Sequence, residues 1–150
     1  MSFTIVVSTA TRAPLAEVFD YVADFRNAPV WQRQLVGVRL DDGPFPEGTR
    51  VVEQRSFLGK QIEAPGELVA WVPKVGFTVR GSSGPLHVES EYGFTKNGDG
   101  TLVTLRLTMT ARGPARLGEL VLKRNMEREL AVAFQRLGAV LDDGVRAEPE

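Results

Sequence analysis

Apolar residues recur at every second position along most of this chain, and at two places the period lengthens to three or four. Phe3, Ile5 and Val7 alternate with Thr4, Val6 and Ser8, which predicts a strand with one buried face. At Ala13-Pro14 the period changes. Pro14 suits a first helical position, where its missing N–H costs nothing, and Leu15, Val18, Phe19 and Val22 then repeat at helical spacing as far as Asp24. A second short helix is predicted from Arg26 to Gln32, interrupted at Pro29 and anchored by Trp31.

From Leu35 onward the period is two. Val36, Val38 and Leu40 predict a strand, followed by a loop marked by Asp42-Gly43-Pro44 and Pro46-Glu47-Gly48. Thr49 to Leu58 and Gln61 to Val72 read as strands joined by a turn at Leu58-Gly59-Lys60. The second of these should bend or bulge at Pro65-Gly66, since Pro cannot donate to a ladder and Gly weakens it. Pro73-Lys74 turns into a strand facing inward with Val75, Phe77 and Val79, and Gly81 to Pro85 reads as a loop. Leu86, Val88, Ser90, Tyr92 and Phe94 share one face of the next strand. Asn97-Gly98-Asp99-Gly100 is a hairpin signal, and Val103, Leu105, Leu107 and Met109 line one face of the last strand.

The stretch from Gly113-Pro114 to Gly144 reads as one uninterrupted helix of roughly 45 Å. Leu122, Met126, Leu130, Ala133, Leu137 and Leu141 form its apolar stripe, which Leu117, Leu120, Val121 and Phe134 broaden. Arg116, Glu119, Lys123, Glu127, Arg128 and Arg136 fill the other side. The order is strand, helix pair, about six successive strands, long helix. Successive strands with tight turns favour antiparallel pairing, so the fold class is α+β. Residues 1–150 read as a single domain, with a loose tail from 144 on.

Composition narrows the chemistry. With 150 residues, 43% of them apolar, the chain is long enough to bury a real core. The net charge of −1 carries no footprint for nucleic acid or acidic membranes, and no apolar run approaches the roughly 20 residues that cross a bilayer. The start, Met1-Ser2-Phe3-Thr4, lacks the pattern of a signal peptide, so a cytoplasmic location is the default expectation. No cysteine means no thiolate nucleophile and no Cys-based zinc site, and a single histidine removes multi-His metal sites. No cofactor or metal is expected. His87 shares parity with Glu89 and Glu91, which places all three on the outer face. Glu53 and Arg55 lie on a strand whose two faces are about equally apolar, so either face is open to them. Neither Gly-rich stretch has the spacing of a phosphate loop.

Residues 13 to 32, APLAEVFDYVADFRNAPVWQ, resemble the opening signature of the START/Bet v 1-like superfamily, the SRPBCC proteins. The likeness is greatest to the polyketide cyclase/dehydrase-like branch. It is carried by Ala13-Pro14, the pair Val18 and Phe19, the Asp24-Phe25 junction, and Trp31 after Pro29. A Gly98-Asp99-Gly100-Thr101 hairpin and the terminal long helix fit as well. The resemblance implies a helix-grip fold: a curved antiparallel sheet of about seven strands wraps the C-terminal helix, and two short helices follow the first strand. It also implies a cavity for an apolar small molecule between sheet and helix.

Strand parity then names the residues that would face such a cavity: Trp71, Phe77, Val79, Tyr92, Phe94, Leu105, Leu107 and Met109 from the sheet, with the direction of Trp71 left open by the expected bulge. Leu122, Met126, Leu130 and Phe134 would face it from the helix, with Trp31 near its mouth. Apolar strips at these spacings line a fully packed core equally well. The leading expectation is binding of a lipid, polyketide or isoprenoid-like compound. One alternative is a metal-free aromatase/cyclase or dehydratase using the same cavity; an enzyme is the lesser expectation, and no catalytic residue is assigned. Another is an interaction module of the chaperone-activator or toxin-like kind, which a large exposed apolar patch would favour. The partner expected is a hydrophobic small molecule, with no nucleic acid and no integral membrane association, in a monomer or homodimer.

Overall fold

The computed structural model describes residues 2–40, 48–57, 59–83 and 85–144. The loop expected at 42–47, Leu58, Gly84 and the tail after Gly144 lie outside the described residues. Seven strands form a single antiparallel sheet: β1 (Ser2–Thr11), β2 (Leu35–Leu40), β3 (Arg50–Phe57), β4 (Lys60–Val72), β5 (Gly76–Ser83), β6 (Leu86–Asn97) and β7 (Gly100–Ala111). Their order is β1-β7-β6-β5-β4-β3-β2, so each strand from β2 to β7 pairs with its chain neighbour, and β1 closes the far edge against β7. Two short helices follow β1, namely α1 (Leu15–Ala23) and α2 (Ala28–Trp31), with a single 3-10 turn at Phe25–Asn27 between them. The long helix α3 (Glu119–Ala139) lies in the curve of the sheet, which is the helix-grip arrangement.

The alternation read from the sequence holds best in β7, where Val103, Leu105, Leu107 and Met109 are all buried. Elsewhere the backbone shifts the pattern. Pro14 caps α1 instead of occupying its first position; its φ of −66° and ψ of 152° are extended, and its carbonyl accepts the Val18 N–H at 3.0 Å. The register between β2 and β3 slips between Leu35 and Gly37. Leu35 is therefore buried and Val36 exposed, against the simple alternation. In β4 the slip falls between Leu68 and Ala70, not at Pro65-Gly66. Pro65 stays in register with Val52, and β5 pairs with β4 only from Gly66 onward. Gly81 to Ser83 belong to β5, paired with Val88 to Leu86, while Val75 sits exposed in the turn after Lys74, whose φ is 63°.

The C-terminal segment is not one α-helix. A 3-10 turn over Gly113–Gly118 precedes α3, and a π-helical turn over Val140–Gly144 follows it. The α-helical part, 21 residues, is about 31 Å long. Its two halves sit differently. Leu130, Ala133, Phe134, Leu137 and Leu141 are buried, whereas Leu122 and Met126 are half-buried and Leu117, Leu120 and Val121 stand in solvent. The C-terminal half is drawn onto β1: Gly138 brings the backbone so close that a Cβ there would lie 2.6 Å from Thr9 Oγ1. Asp142 ties that end down, accepting hydrogen bonds from Thr11 Oγ1 at 2.7 Å and the Arg12 N–H at 2.8 Å. Arg136 also donates to the Val30 carbonyl at 3.0 Å, linking α3 to α2.

At one end of the concave face the interior is filled by rings. Phe19 of α1 meets Trp71, Phe77 and Phe94 edge-on at centroid distances of 5.2, 6.2 and 5.0 Å, and Phe25 meets Phe77 at 5.4 Å. Such contacts add to simple area burial. Around Gly66 and Gly81, which are cross-strand partners, the strands curl tightly. A Cβ on Gly81 would lie 2.6 Å from the Pro65 carbonyl oxygen, with backbone rather than a flexible side chain in the way. Gly81→Ala should therefore lower unfolding free energy by about 1–3 kcal/mol in urea titration. Gly93→Ala is the control, since a Cβ at Gly93 meets nothing within 4 Å, and it should leave the midpoint unchanged or slightly raised.

Candidate ligand-binding pocket

Under the N-terminal half of α3, where the helix stands away from the sheet, lies a partly enclosed pocket of about 190 Å³. Its floor is the concave face: Val51, Ile62, Ala64, Val79, Leu86, Val88, Leu105, Leu107 and Met109. Its roof is Leu122, Met126, Leu130 and Ala133. Val22, Phe25, Ala28 and Trp31 close the end toward the short helices. The surface so formed is mostly apolar.

Its polar groups are gathered on one side. Glu53 and Arg55, two apart on β3, both project inward and are about three-tenths exposed. The Arg55 Nε donates to Glu53 Oε1 at 2.8 Å, and its Nη2 donates to Gln32 Oε1 at 2.8 Å. A guanidinium has five N–H donors, so these two bonds leave others for a further acceptor. Glu129 reaches the same region from α3, near enough for the Arg55 charge to act on it. Desolvation by burial nonetheless holds its carboxyl above the ordinary glutamate range; the attraction of Arg55 offsets only part of this.

Tyr92 projects from β6 with its ring stacked on Phe77 at 4.7 Å. It is half-buried by area because the pocket lies in front of it, yet it sits deep in the molecule. Burial, reinforced by the negative charge of Glu53 and opposed by Arg55, pushes its phenol well above the usual range. Tyr92 is therefore a neutral O–H donor at any physiological pH, and its hydroxyl has no hydrogen-bond partner among the described residues. The Trp31 indole Nε1 is also buried without an acceptor among them. Both are donors on the wall of a pocket. Among the described residues, no group of three or more His, Asp or Glu side chains could hold a metal ion.

The structure brings Trp31, Val79, Tyr92, Leu105, Leu107, Met109, Leu122, Met126 and Leu130 together around this space. Trp71, Phe77, Phe94 and Phe134 do not reach it. The first three belong to the ring cluster under α1, and Phe134 packs edge-on against Trp31 at 5.7 Å. The slip in β4 explains Trp71. Ile62, Ala64, Gly66 and Leu68 face inward at even positions, and the extra residue returns the odd-numbered Trp71 to the inner side, beside Phe19. His87 is exposed, as are the side of Glu91 and, in part, Glu89, which pairs with Arg80 at 3.2 Å.

Sequence reasoning missed Glu129, Gln32, Gln34 and Ser56 as lining residues. For Glu129 a signal was present: Leu122, Met126, Glu129 and Ala133 follow at steps of four, three and four, so the carboxylate sits inside the apolar stripe.

Residues 2–142 match the family model described as polyketide cyclase / dehydrase and lipid transport. The chain belongs to this family. No curated protein matches the sequence. Among solved structures, this family member is similar to the Zhui aromatase/cyclase from Streptomyces sp. R1128, with a TM-score of 0.82 at 14% identity over 98% of each chain. It is similar also to the di-domain aromatase/cyclase StfQ of the steffimycin biosynthetic pathway, with a TM-score of 0.79 at 12% identity, covering 98% of this chain and 53% of that one. Ara h 8.0201 gives a TM-score of 0.71 at 15% identity, over 94% of this chain and 98% of its own. At these identities the likeness establishes the Bet v 1-like helix-grip fold and nothing finer.

The raised carboxyl of Glu129 has a testable sign. A carboxylic acid whose folded-state pKa is raised favours the folded state below its ordinary value, near 4.5, and loses that contribution as pH rises through the raised folded value. Glu129→Gln should therefore be more resistant to urea than the parent at neutral pH, and the two midpoints should converge in acid below 4.5. A constant difference across the range would show that the carboxyl titrates as if free.

Proposed function

We propose that this protein binds an apolar small molecule with a carbonyl or hydroxyl oxygen at one end. The unpartnered Tyr92 hydroxyl on the wall of a mostly apolar pocket carries this reading. The hydroxyl faces the pocket space, and a hydrogen bond from it to a ligand oxygen would contribute roughly 0.5–1.5 kcal/mol. The unused donors of Arg55 lie on the same side, so the oxygen-bearing end of the ligand points toward Tyr92 and Arg55 while its body rests on Leu105, Leu107, Leu122 and Met126. Size sets a further limit. An apolar cavity of about 150 Å³ admits benzene, so a space of about 190 Å³ suits a small ring system or a bent segment of chain. The rest of a larger polyketide or lipid would extend through the opening. The family description, which pairs cyclases with lipid transport, supports this class of ligand.

The same polar side favours a second reading, a cyclase. Proton abstraction beside a carbonyl needs a base facing the substrate and donors for the enolate oxygen. Glu129, a pocket carboxylate that burial makes more basic than a free one, fits the first role, and Tyr92 with Arg55 fits the second.

Native mass spectrometry of the purified protein should show a bound small molecule, or uptake of an added polyaromatic phenol. Met126→Trp should abolish that adduct while the protein keeps its melting temperature, because the indole enters vacant space. Were the space simply core, the same change would cost about 1–3 kcal/mol and no adduct would exist to lose. Tyr92→Phe should weaken binding of an oxygen-bearing ligand about five- to tenfold without loss of stability, since the hydroxyl has no protein partner to forfeit. The cyclase reading fails if Glu129→Gln turns over a poly-β-ketone substrate as fast as the parent does.

A further inference from the structure

The outer face of the closing segment carries the most exposed of the large aliphatic side chains among the described residues. Leu117, Leu120 and Val121 are 91%, 62% and 69% exposed, three large aliphatic side chains within five residues. Isolated exposed leucines need no explanation, but a cluster on one face does. Arg124 lies one turn beyond Leu120 on the same side of α3, and Arg128 lies two turns beyond Val121; both are exposed, as is Arg112 before the helix. From 112 to 128 the sequence holds five basic residues, Arg112, Arg116, Lys123, Arg124 and Arg128, against two acidic ones, Glu119 and Glu127. The whole chain carries −1, so this stretch is positive and the remainder is negative. The near-neutral total, which offers no pointer to acidic membranes, conceals that segregation.

From this juxtaposition we infer that Leu117, Leu120 and Val121, framed by Arg112, Arg124 and Arg128, dock the protein peripherally on an anionic lipid bilayer. Aliphatic side chains beside arginines are the pattern that lies in the headgroup region, with the cations at the phosphates and the leucines at the acyl boundary. The face is the convex outside of one helix. A protein partner would need a matching groove, whereas a bilayer deforms around whatever is presented to it. A second copy meeting this face about a two-fold axis would set Arg124 and Arg128 against their own equivalents, an arrangement that like charges oppose. No helix among the described residues is long and apolar enough to cross a membrane, so the attachment is to the surface.

The geometry gives the docking a use. Leu122 and Met126 hang from the same turns of α3 on the inner side and roof the pocket. A surface engaged by Leu120 and Val121 would therefore lie a helix diameter from the ligand space. This consequence rests on the proposed function; the docking itself does not.

The test is co-sedimentation of the full chain with vesicles of phosphatidylcholine alone or mixed with phosphatidylglycerol. The protein should sediment with the mixed vesicles and not with the neutral ones. Binding should fall as salt rises, since the screening length shrinks from about 30 Å at 0.01 M to about 8 Å at 0.15 M. Arg124→Glu with Arg128→Glu should reduce vesicle binding about tenfold or more. Leu120→Gln with Val121→Gln should reduce it about as much. All four positions are exposed, so circular dichroism and melting should not change, and uptake of a small molecule into the pocket should persist in both variants. The inference is overturned if the parent ignores the mixed vesicles, or if either double variant sediments as the parent does. It is equally overturned if, with no vesicle binding, Leu120→Gln with Val121→Gln dissolves a dimer or abolishes binding of a purified protein partner, which would assign the face to that occupant.

Discussion

One helix cannot cover the concave face of a seven-stranded sheet. Strands spaced by about 4.8 Å make a face on the order of 29 Å across, against a helix about 10–12 Å wide with its side chains. Curling the sheet narrows the gap without closing it. Something else must occupy the remaining width, and this chain meets the demand differently at its two ends. Under α1 it supplies Phe19, Phe25, Trp71, Phe77 and Phe94, with Phe19 and Phe25 edge-on to their neighbours and Trp71 stacked on Phe77. Under the first half of α3 it supplies no such filling, and the pocket is what remains. The space is thus a product of the architecture, left unfilled on one side and plugged with rings on the other.

The lean of α3 decides which side. Gly138 and Asp142 hold its C-terminal half against β1, leaving Leu130, Ala133, Phe134 and Leu137 buried. The half that stands off carries Leu122, Met126 and Glu129 over the pocket. Charged groups facing an apolar interior would ordinarily be costly. Here Arg55 sits among Glu53, Gln32 and Glu129, close to the opening, where water offsets part of the desolvation. The result is a polar side and an apolar body, the division that small-molecule sites commonly show.

Much of the fold was legible in the alternation of residues. Parity on β6 and β7 placed Tyr92, Leu105, Leu107 and Met109 on the inner face because those strands run without a slip. It also placed Phe77 and Phe94 inward, but facing inward is not the same as facing the pocket, and no local pattern distinguishes a ring that plugs from one that lines. Trp71 was undecidable because its direction depends on a bulge whose position is a property of the sheet. Glu53 and Arg55 could not be oriented from a strand with two similar faces. Leu117, Leu120 and Val121 looked like part of the buried stripe, since periodicity reports a face and not whether anything covers it. Net charge is an average of the same kind: it does not reveal that residues 112–128 hold five basic residues against two acidic ones.

The slip between Leu68 and Ala70 reaches further than its size implies. Because side chains alternate, one additional residue lets the two halves of β4 choose their inward positions separately. The first half presents Ile62, Ala64 and Gly66, small or modest side chains that leave room. The second half presents Trp71, a plug. Were the same residues paired without the bulge, strict alternation from Leu68 would turn the indole out into solvent and take one ring from the plug. A single unpaired amino acid in one strand thus lets the same sheet be vessel at one end and stopper at the other.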